Sequence, residues 1–424
     1  MKSFVLKSVT LADGTSADIT IENGRISSIG SSLSNGIDCS GLIALPGFVD
    51  VHTHLREPGF EASETVLSGT RSAAAGGYTA VMAMANTSPV ADTPEIVEQI
   101  AALGQVAGYT HVQPIGAVTK GLGGLELSEI KAMASSKAKV TMFSDDGVCV
   151  FDAGLMKEAL LQVKSFGGVI AQHAQDPILT QGAQMNDGAL AAELGLKGWP
   201  SIAEESIIER DALLAEETGS RLHICHLTTA GAVEIVRWAK KRGIRITAEV
   251  TPHHLMLTEE TVRSYNPVYK VNPPLRRHED TLALRAAVLD GTIDVIGTDH
   301  APHSREKKEC EWSNAAFGMV GLEHAASVLQ EVLIIQGGGS WQQFTNLMST
   351  NAAVIGNLRD FGSISVGAYA NLALIDPAAK RVIESATHSK SVNNPFASVT
   401  LPGAIVHTIF KGVFTNKDQK VQEL

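Results

Sequence analysis

Cysteine is scarce in this chain: Cys39, Cys149, Cys225 and Cys310 are the only 4 in 424 residues, and none forms a C-x-x-C pair. A large chain with so few scattered thiols is no disulfide scaffold, and a reducing cytoplasm is the simpler setting. Cys225 lies inside an apolar run and reads as a small buried hydrophobe. No apolar run approaches the ~18 residues that cross a bilayer, so no membrane partner is expected. Basic charge is in the minority, with 34 Lys and Arg against 45 Asp and Glu, a net −11, and no basic stripe. That argues against nucleic acid as a partner. It leaves room for an anionic small molecule, because an ion and a nearby Arg set the field at a metal site. Residues 1–7 place a Lys second and offer no small-residue cleavage site, so no secretory signal is expected. Low-complexity segments and charge blocks are missing too.

The composition that remains is that of a globular protein, 44% hydrophobic and 19% charged. Its length suits one large barrel plus an accessory unit. Both ends are β-rich. Near the N-terminus the runs 4–6, 17–21 and 26–30 read as a meander with a hairpin at Glu22-Asn23-Gly24. Near the C-terminus 370–375 and 404–410 read as strands. One composite β domain, 1–46 with 365–424, is expected; the alternative is two separate β extensions. Between them, 47–364 alternates strand and helix. Strands are expected at 47–51, 78–84, 111–115, 140–143, 169–172, 222–225, 246–250 and 293–297. Helices are expected at 64–75, 94–103, 126–134, 155–166, 203–218, 230–241 and 281–289. Such alternation implies a parallel sheet, and eight repeats imply an α/β fold closed as a (β/α)8 TIM barrel.

Five of these strands end in metal-ligand chemistry, through His52 and His54, Asp145 and Asp146, His173, His226, and Asp299. Side chains two apart on a strand share a face, so His52 and His54 can hold one ion together. An H-x-H alone is weak; the apolar run before it delivers the pair to the end of the first barrel strand. His173 or His226 alone would more often be a core histidine. At corresponding ends of neighbouring strands they fit a second pair of nitrogen ligands. Asp299 can bind metal and act as base, its plainer role being a helix cap. Strand alternation does not choose between Asp145 and Asp146 beside a turn. The donor set favours Zn²⁺ in a hydrolytic role, with Mn²⁺ or Co²⁺ able to substitute.

The set resembles the cyclic amidohydrolases, and among them the dihydroorotases of the larger bacterial type. The resemblance is carried by Asp50-Val51-His52-Thr53-His54-Leu55-Arg56-Glu57-Pro58-Gly59, Met84-Ala85-Asn86-Thr87 and Asp145-Asp146-Gly147. It continues through Ala248-Glu249-Val250-Thr251-Pro252-His253-His254-Leu255, Asn272-Pro273-Pro274-Leu275-Arg276, Gly297-Thr298-Asp299-His300-Ala301-Pro302-His303 and Asn394-Pro395-Phe396. It implies one or two Zn²⁺ ions held by His52, His54, Asp146, His173, His226 and Asp299, with Asp299 also the general acid/base. It implies that His54, Arg56, Asn86, Asn272 and His303 hold the substrate, with Phe317 and Gly318 against its ring. Many relatives bridge two metals with a carboxylated Lys after the fourth strand; here Asp146 stands in its place. Met84-Ala85-Asn86 departs from the family's usual Pro before the Asn, which touches loop stiffness only.

The implied reaction interconverts N-carbamoyl-L-aspartate and L-dihydroorotate in pyrimidine biosynthesis, in the cytoplasm, by a homo-oligomer that could associate with aspartate transcarbamoylase. The planar fork of Arg56 suits the substrate carboxylate; its bland alternative is a surface salt bridge to Glu57 or Glu61. Asn272 could bond a ring N–H and C=O, or simply serve the turn before Pro273. His253 and His254 read as packing behind the ligands. Segment 304–314 reads equally as a mobile loop near the site or a solvated connection, with Trp312 its best candidate to pack down. Competing functions are a hydantoinase or allantoinase, and an inactive scaffold for the transcarbamoylase.

Overall fold

A computed structural model describes residues 3–385 and 387–424 of the chain. The apolar runs of the middle region form eight strands: Phe48–Thr53, Tyr78–Ala83, His111–Pro114, Met142–Phe143, Val169–Gln172, Leu222–Ile224, Ile246–Val250 and Val295–Ile296. The first three pair in parallel, as do the last five. Parallel bridges between Gly116 and Phe143 and between Thr53 and His300 join the two groups, so the sheet closes into a barrel. Every residue of the first two strands is buried, as a sheet covered on both faces requires. Val49, Val51, Ala80, Met82, Met142, Val169, Ala171 and Val295 belong to one apolar cluster. Their strand neighbours Phe48, Val81, Phe143 and Ile170 belong to a second, shared with the helices. This is the period of two expected of a strand.

Helices follow the strands at Val66–Ala75, Pro94–Ala107, Ile130–Ser135, Ala153–Lys164, Ile202–Thr218, Ala230–Lys241 and His278–Asp290. Thr65, Asp152 and Thr229 cap three of them by accepting from the backbone N–H of Ser68, Leu155 and Ala232. Beyond the eighth strand the chain is helical where no helix was expected. Ala325–Leu329, Trp341–Thr345 and Asn351–Ile355 are linked by the π-helical turns Gln330–Gln336 and Asn346–Thr350. A π turn widens the helix, so the apolar residues there fall off the 3.6-residue period.

Both ends of the chain enter one nine-stranded sheet. Ile43–Pro46 lies antiparallel to the first residues of Leu372–Val382, with Ile43 opposite Ile375 and Pro46 opposite Leu372. At this seam Ala44, Leu372 and Leu374 join the sheet's own core with Leu6, Val9, Ile19 and Ile26. Ile43, Leu45, Ala373 and Ile375 turn the other way, into the barrel's main core. No helix among the described residues is long and apolar enough to cross a membrane.

Candidate metal centre and active site

The candidate residues meet at the C-terminal mouth of the barrel. His52 is the last but one residue of the first strand and His54 follows that strand directly, with ring centroids 5.4 Å apart. His173, His226 and Asp299 lie just past the fifth, sixth and eighth strands. Arg56, His226 and Asp299 all have positive φ, at 61°, 30° and 45°. Non-glycine residues held there cost about 1–3 kcal/mol each, and such strain persists where surroundings enforce it. Two buried carboxylates do so at His226 and Asp299. Glu249 accepts from the His226 N–H at 3.1 Å. Asp50 accepts from the Thr298 N–H at 3.1 Å and its hydroxyl at 2.5 Å, bracing the strand end before Asp299.

Asp146 sits among four imidazoles. Its Oδ1 lies 3.1 Å from His173 Nδ1 and 3.4 Å from the Nε2 atoms of His52 and His226; its Oδ2 lies 3.3 Å from His54 Nε2. Asp299 Oδ1 lies 3.0 Å from His54 Nε2 and 3.4 Å from His52 Nε2. Asp145 turns away, accepting from the N–H groups of Val118 at 2.7 Å and Thr119 at 2.9 Å and from the Thr119 hydroxyl. Burial works against charge on all of these groups. At His52 it is outweighed by Glu249, Asp146 and Asp299, which hold the imidazole well above its usual pKa. At Asp299 it is outweighed by His52 and His54, which bring the carboxyl down to about 2. Asp146 is likewise held well below the carboxylate range, chiefly by His52 against its burial.

The donor set fits a divalent cation. His52 Nδ1 is bonded to Glu249, His54 Nδ1–H donates to Asn86 Oδ1 at 2.9 Å, and His173 Nε2–H donates to Gln175 Oε1 at 2.8 Å. Each ring thus has one nitrogen tied to a protein acceptor while the other faces the carboxylates, which is how metal-binding imidazoles are oriented. His52 Nε2 is buried and has no hydrogen-bond partner. Ligand atoms of His52, Asp146 and His226 come within 4.8 Å of one another, as do those of His52, His54 and Asp299. Cys225 also approaches His52 and Glu249, but burial pushes its thiol up to about 12, leaving it protonated and a poor ligand.

His54, Arg56, Asn86, Asn272, His303, Phe317 and Gly318 line a single cavity of about 240 Å³ with Asp146, His173 and Asp299. Arg56 makes no pair with Glu57 or Glu61; its Nε donates to Pro302 O at 3.2 Å. Burial lowers its pKa to about 10, so it stays charged at neutral pH. His303 Nε2–H donates to Phe317 O at 2.7 Å, and burial with Arg56 nearby drops its pKa to about 3, so it is neutral. Asn86 is committed at both ends, to His54 and to Asp146 O at 3.3 Å. A larger cleft of about 290 Å³ lies beyond His303 but gathers no set of converging carboxylates and imidazoles.

A family model described as dihydro-orotase-like matches residues 41–232. A dihydroorotase of Leifsonia xyli subsp. xyli is 57% identical over 428 aligned positions, covering 100% of this chain and 98% of that protein. A dihydroorotase of Streptomyces coelicolor is 56% identical, covering 99% and 100%. The chain belongs to the dihydroorotase family. Among solved structures, the L-hydantoinase (dihydropyrimidinase) of Arthrobacter aurescens matches with a TM-score of 0.89 at 24% identity, over 99% of this chain and 97% of that one. That likeness shows the shared barrel-and-β-sheet fold.

Two groups in this dihydroorotase-family site, one buried and one half-buried, escaped the sequence reading as individual residues. Glu249 is bonded to His52, lies 3.2 Å from His223 Nε2, and is itself held below its usual pKa by those imidazoles despite burial. A lone carboxylate inside the apolar strand Ile246–Val250 was its available signal. Gln175 had no signal beyond standing two residues after His173. His253 and His254 are buried beside one another, with ring centroids 4.6 Å apart, and burial lowers both pKa values. In segment 304–314 Trp312 packs down, buried with Met185, Leu190 and Val262, while Arg305, Glu306, Lys307 and Glu309 are exposed.

Proposed function

We propose that this chain is a zinc-dependent dihydroorotase, interconverting N-carbamoyl-L-aspartate and L-dihydroorotate in de novo pyrimidine biosynthesis. The observation that carries the reading is one cavity holding both an ionised Asp299 beside the imidazole cluster and a charged Arg56. One or two Zn²⁺ ions would be held by His52, His54, Asp146, His173, His226 and Asp299. When bound, the metal supplies an acidified water and polarises a carbonyl. Asp299, ionised at neutral pH, takes a proton from water during ring opening and returns it to the leaving ring nitrogen; ring closure reverses these transfers. With its Nε spent on Pro302, Arg56 offers its two terminal nitrogens to the substrate carboxylate in a fork. His54, Asn86, Asn272 and His303 bound the remaining faces, with Phe317 and Gly318 against the ring.

The same reading assigns 1–46 and 365–424 to a composite β domain and 47–364 to the hydrolase barrel. It places the protein in the cytoplasm, in line with four unpaired cysteines, as a homo-oligomer. Co-purification tests an association with aspartate transcarbamoylase. Metal-loaded protein should turn over dihydroorotate and leave hydantoin and allantoin essentially untouched when the three are assayed side by side. Faster hydrolysis of either alternative would overturn the substrate assignment; inertness towards all three would favour the scaffold.

A further inference from the structure

Asn272 is not free to choose which end of its amide it shows the cavity. Its Nδ2–H donates to Gln175 Oε1 at 3.2 Å, while its Oδ1 is buried without a partner. The same Gln175 oxygen accepts from His173 Nε2–H at 2.8 Å. The other end of Gln175 is also spoken for. Its Nε2–H donates to Thr180 Oγ1 at 2.9 Å, and the Thr180 hydroxyl in turn donates to Asp176 O at 2.8 Å. A threonine hydroxyl has one proton. With that proton on Asp176 O, Thr180 can only accept from Gln175, and the oxygen of Gln175 must face inward.

This direction has two consequences. His173 keeps a proton on Nε2, so in the neutral ring Nδ1, which faces Asp146 and His226, is the nitrogen whose lone pair is left for a metal. Asn272, which lines the cavity, keeps its NH2 on Gln175, so the end left unpaired is its buried acceptor Oδ1. Were Gln175 turned over, its NH2 would face His173 Nε2 and drive the proton onto Nδ1, spoiling the nitrogen that faces the metal site. Asn272 would then have to turn as well and present a donor. A buried acceptor left unpaired is costly, so the cavity favours a ligand with an N–H at that position.

Resting on the dihydroorotate reading of this cavity, we infer that Gln175 is a positioning residue that couples metal binding to substrate selection. Through one oxygen it holds His173 ready for the metal and turns the Asn272 carbonyl toward a ring or ureido N–H of the substrate.

The test uses Gln175→Leu, Gln175→Glu, Asn272→Ala and the Leu/Ala double variant of the full chain. Zn²⁺ affinity is read by chelator competition and KM by dihydroorotate turnover. Gln175→Leu should weaken Zn²⁺ binding by about 10- to 100-fold and raise KM by about tenfold. Asn272→Ala should raise KM with Zn²⁺ affinity unchanged, and the double variant should show no larger KM than the worse single. Gln175→Glu keeps the shared acceptor, and Thr180 can turn to donate to it, so it should restore both readouts. If Gln175→Leu does not fold, Thr180→Val, which frees Gln175 to turn over, should shift both readouts in the same direction. Parental Zn²⁺ affinity in the folded Leu or Val variant, multiplying KM effects, or a Glu variant as impaired as Leu would each overturn the coupling. Failure of the parent to turn over dihydroorotate would instead sink the substrate reading, while the Zn²⁺ competition would still decide the His173 half.

Discussion

At the scale of single residues, the site divides labour between groups that carry charge and groups that aim it. Asp299 is ionised because His52 and His54 oppose the cost of its burial. Replacing Asp299 with Ala should cut turnover by about 10²–10⁴-fold, the usual share of general acid–base catalysis. Zn²⁺ should be retained in part, since four histidines and Asp146 still stand. Elemental analysis beside a turnover assay checks this, and near-normal turnover would remove Asp299 from the chemistry. Arg56 holds its guanidinium toward the cavity from a left-handed backbone position, with no carboxylate partner among the described residues. Lysine in its place keeps charge but loses the fork. The KM for dihydroorotate should rise about tenfold or more, the counterpart of ~1.5–3 kcal/mol for a charge-assisted contact, with metal content unchanged. Unaltered KM would show that the carboxylate is held elsewhere.

At the scale of an element, the segment after the eighth strand is fastened from behind by lysine. Lys308, 6% exposed, donates through Nζ to Lys270 O at 3.0 Å and to Ala316 O at 2.8 Å. Lys270 Nζ donates to Trp312 O at 2.6 Å and lies 4.6 Å from the centre of the Phe317 ring. These contacts set the wall that Phe317 and Gly318 form. Burial, aided by Lys270, lowers the pKa of Lys308 from 10.5 to about 7. Between those values the unfolded chain binds this proton and the folded chain does not. The charged lysine therefore costs stability, and that cost is relieved as pH rises from about 7 toward 10.5. Denaturant melts across that range should show a gain in stability that Lys308→Met lacks. Equal slopes in both proteins would mean that Lys308 titrates normally.

At the scale of the whole molecule, the seam between Ile43–Pro46 and Leu372–Val382 ties the two chain ends together and, through alternate residues, ties the sheet to the barrel. Leu374 is wholly buried on the sheet's side of that seam. Truncating Leu374 to Ala should destabilise the protein by about 2–5 kcal/mol through lost burial and the cavity left behind. Because Leu374 packs in the sheet core, the folded variant should bind Zn²⁺ and turn over substrate as the parent does. A fall in the denaturation midpoint with unchanged kcat is the expected pair of results. An unchanged midpoint would show that the seam repacks.

Much of this was legible in the residues themselves. Strands with both faces buried are mostly apolar, so the barrel strands stand out, and the polar residues at the ends of such runs lie near the mouth. The order of His52, His54, Asp146, His173, His226 and Asp299 at the ends of these runs is therefore readable as a converging set from the sequence. The resemblance chose Asp146 over Asp145, and the fold shows why they differ: Asp145 is spent on the Val118 and Thr119 amides of a neighbouring loop. The helical region beyond Ala325 was illegible because its π turns break the apolar period. The partners that orient the imidazoles were illegible for a different reason. Glu249 and Asn86 reach His52 and His54 only once the barrel has closed, while Gln175 stands beside His173 in sequence with no pattern to mark which end of its amide faces the ring. Local pattern determined which residues face the mouth, because burial and strand period act along the chain. Only the tertiary structure decided which atom of each faces which, because hydrogen-bond direction depends on neighbours distant in sequence.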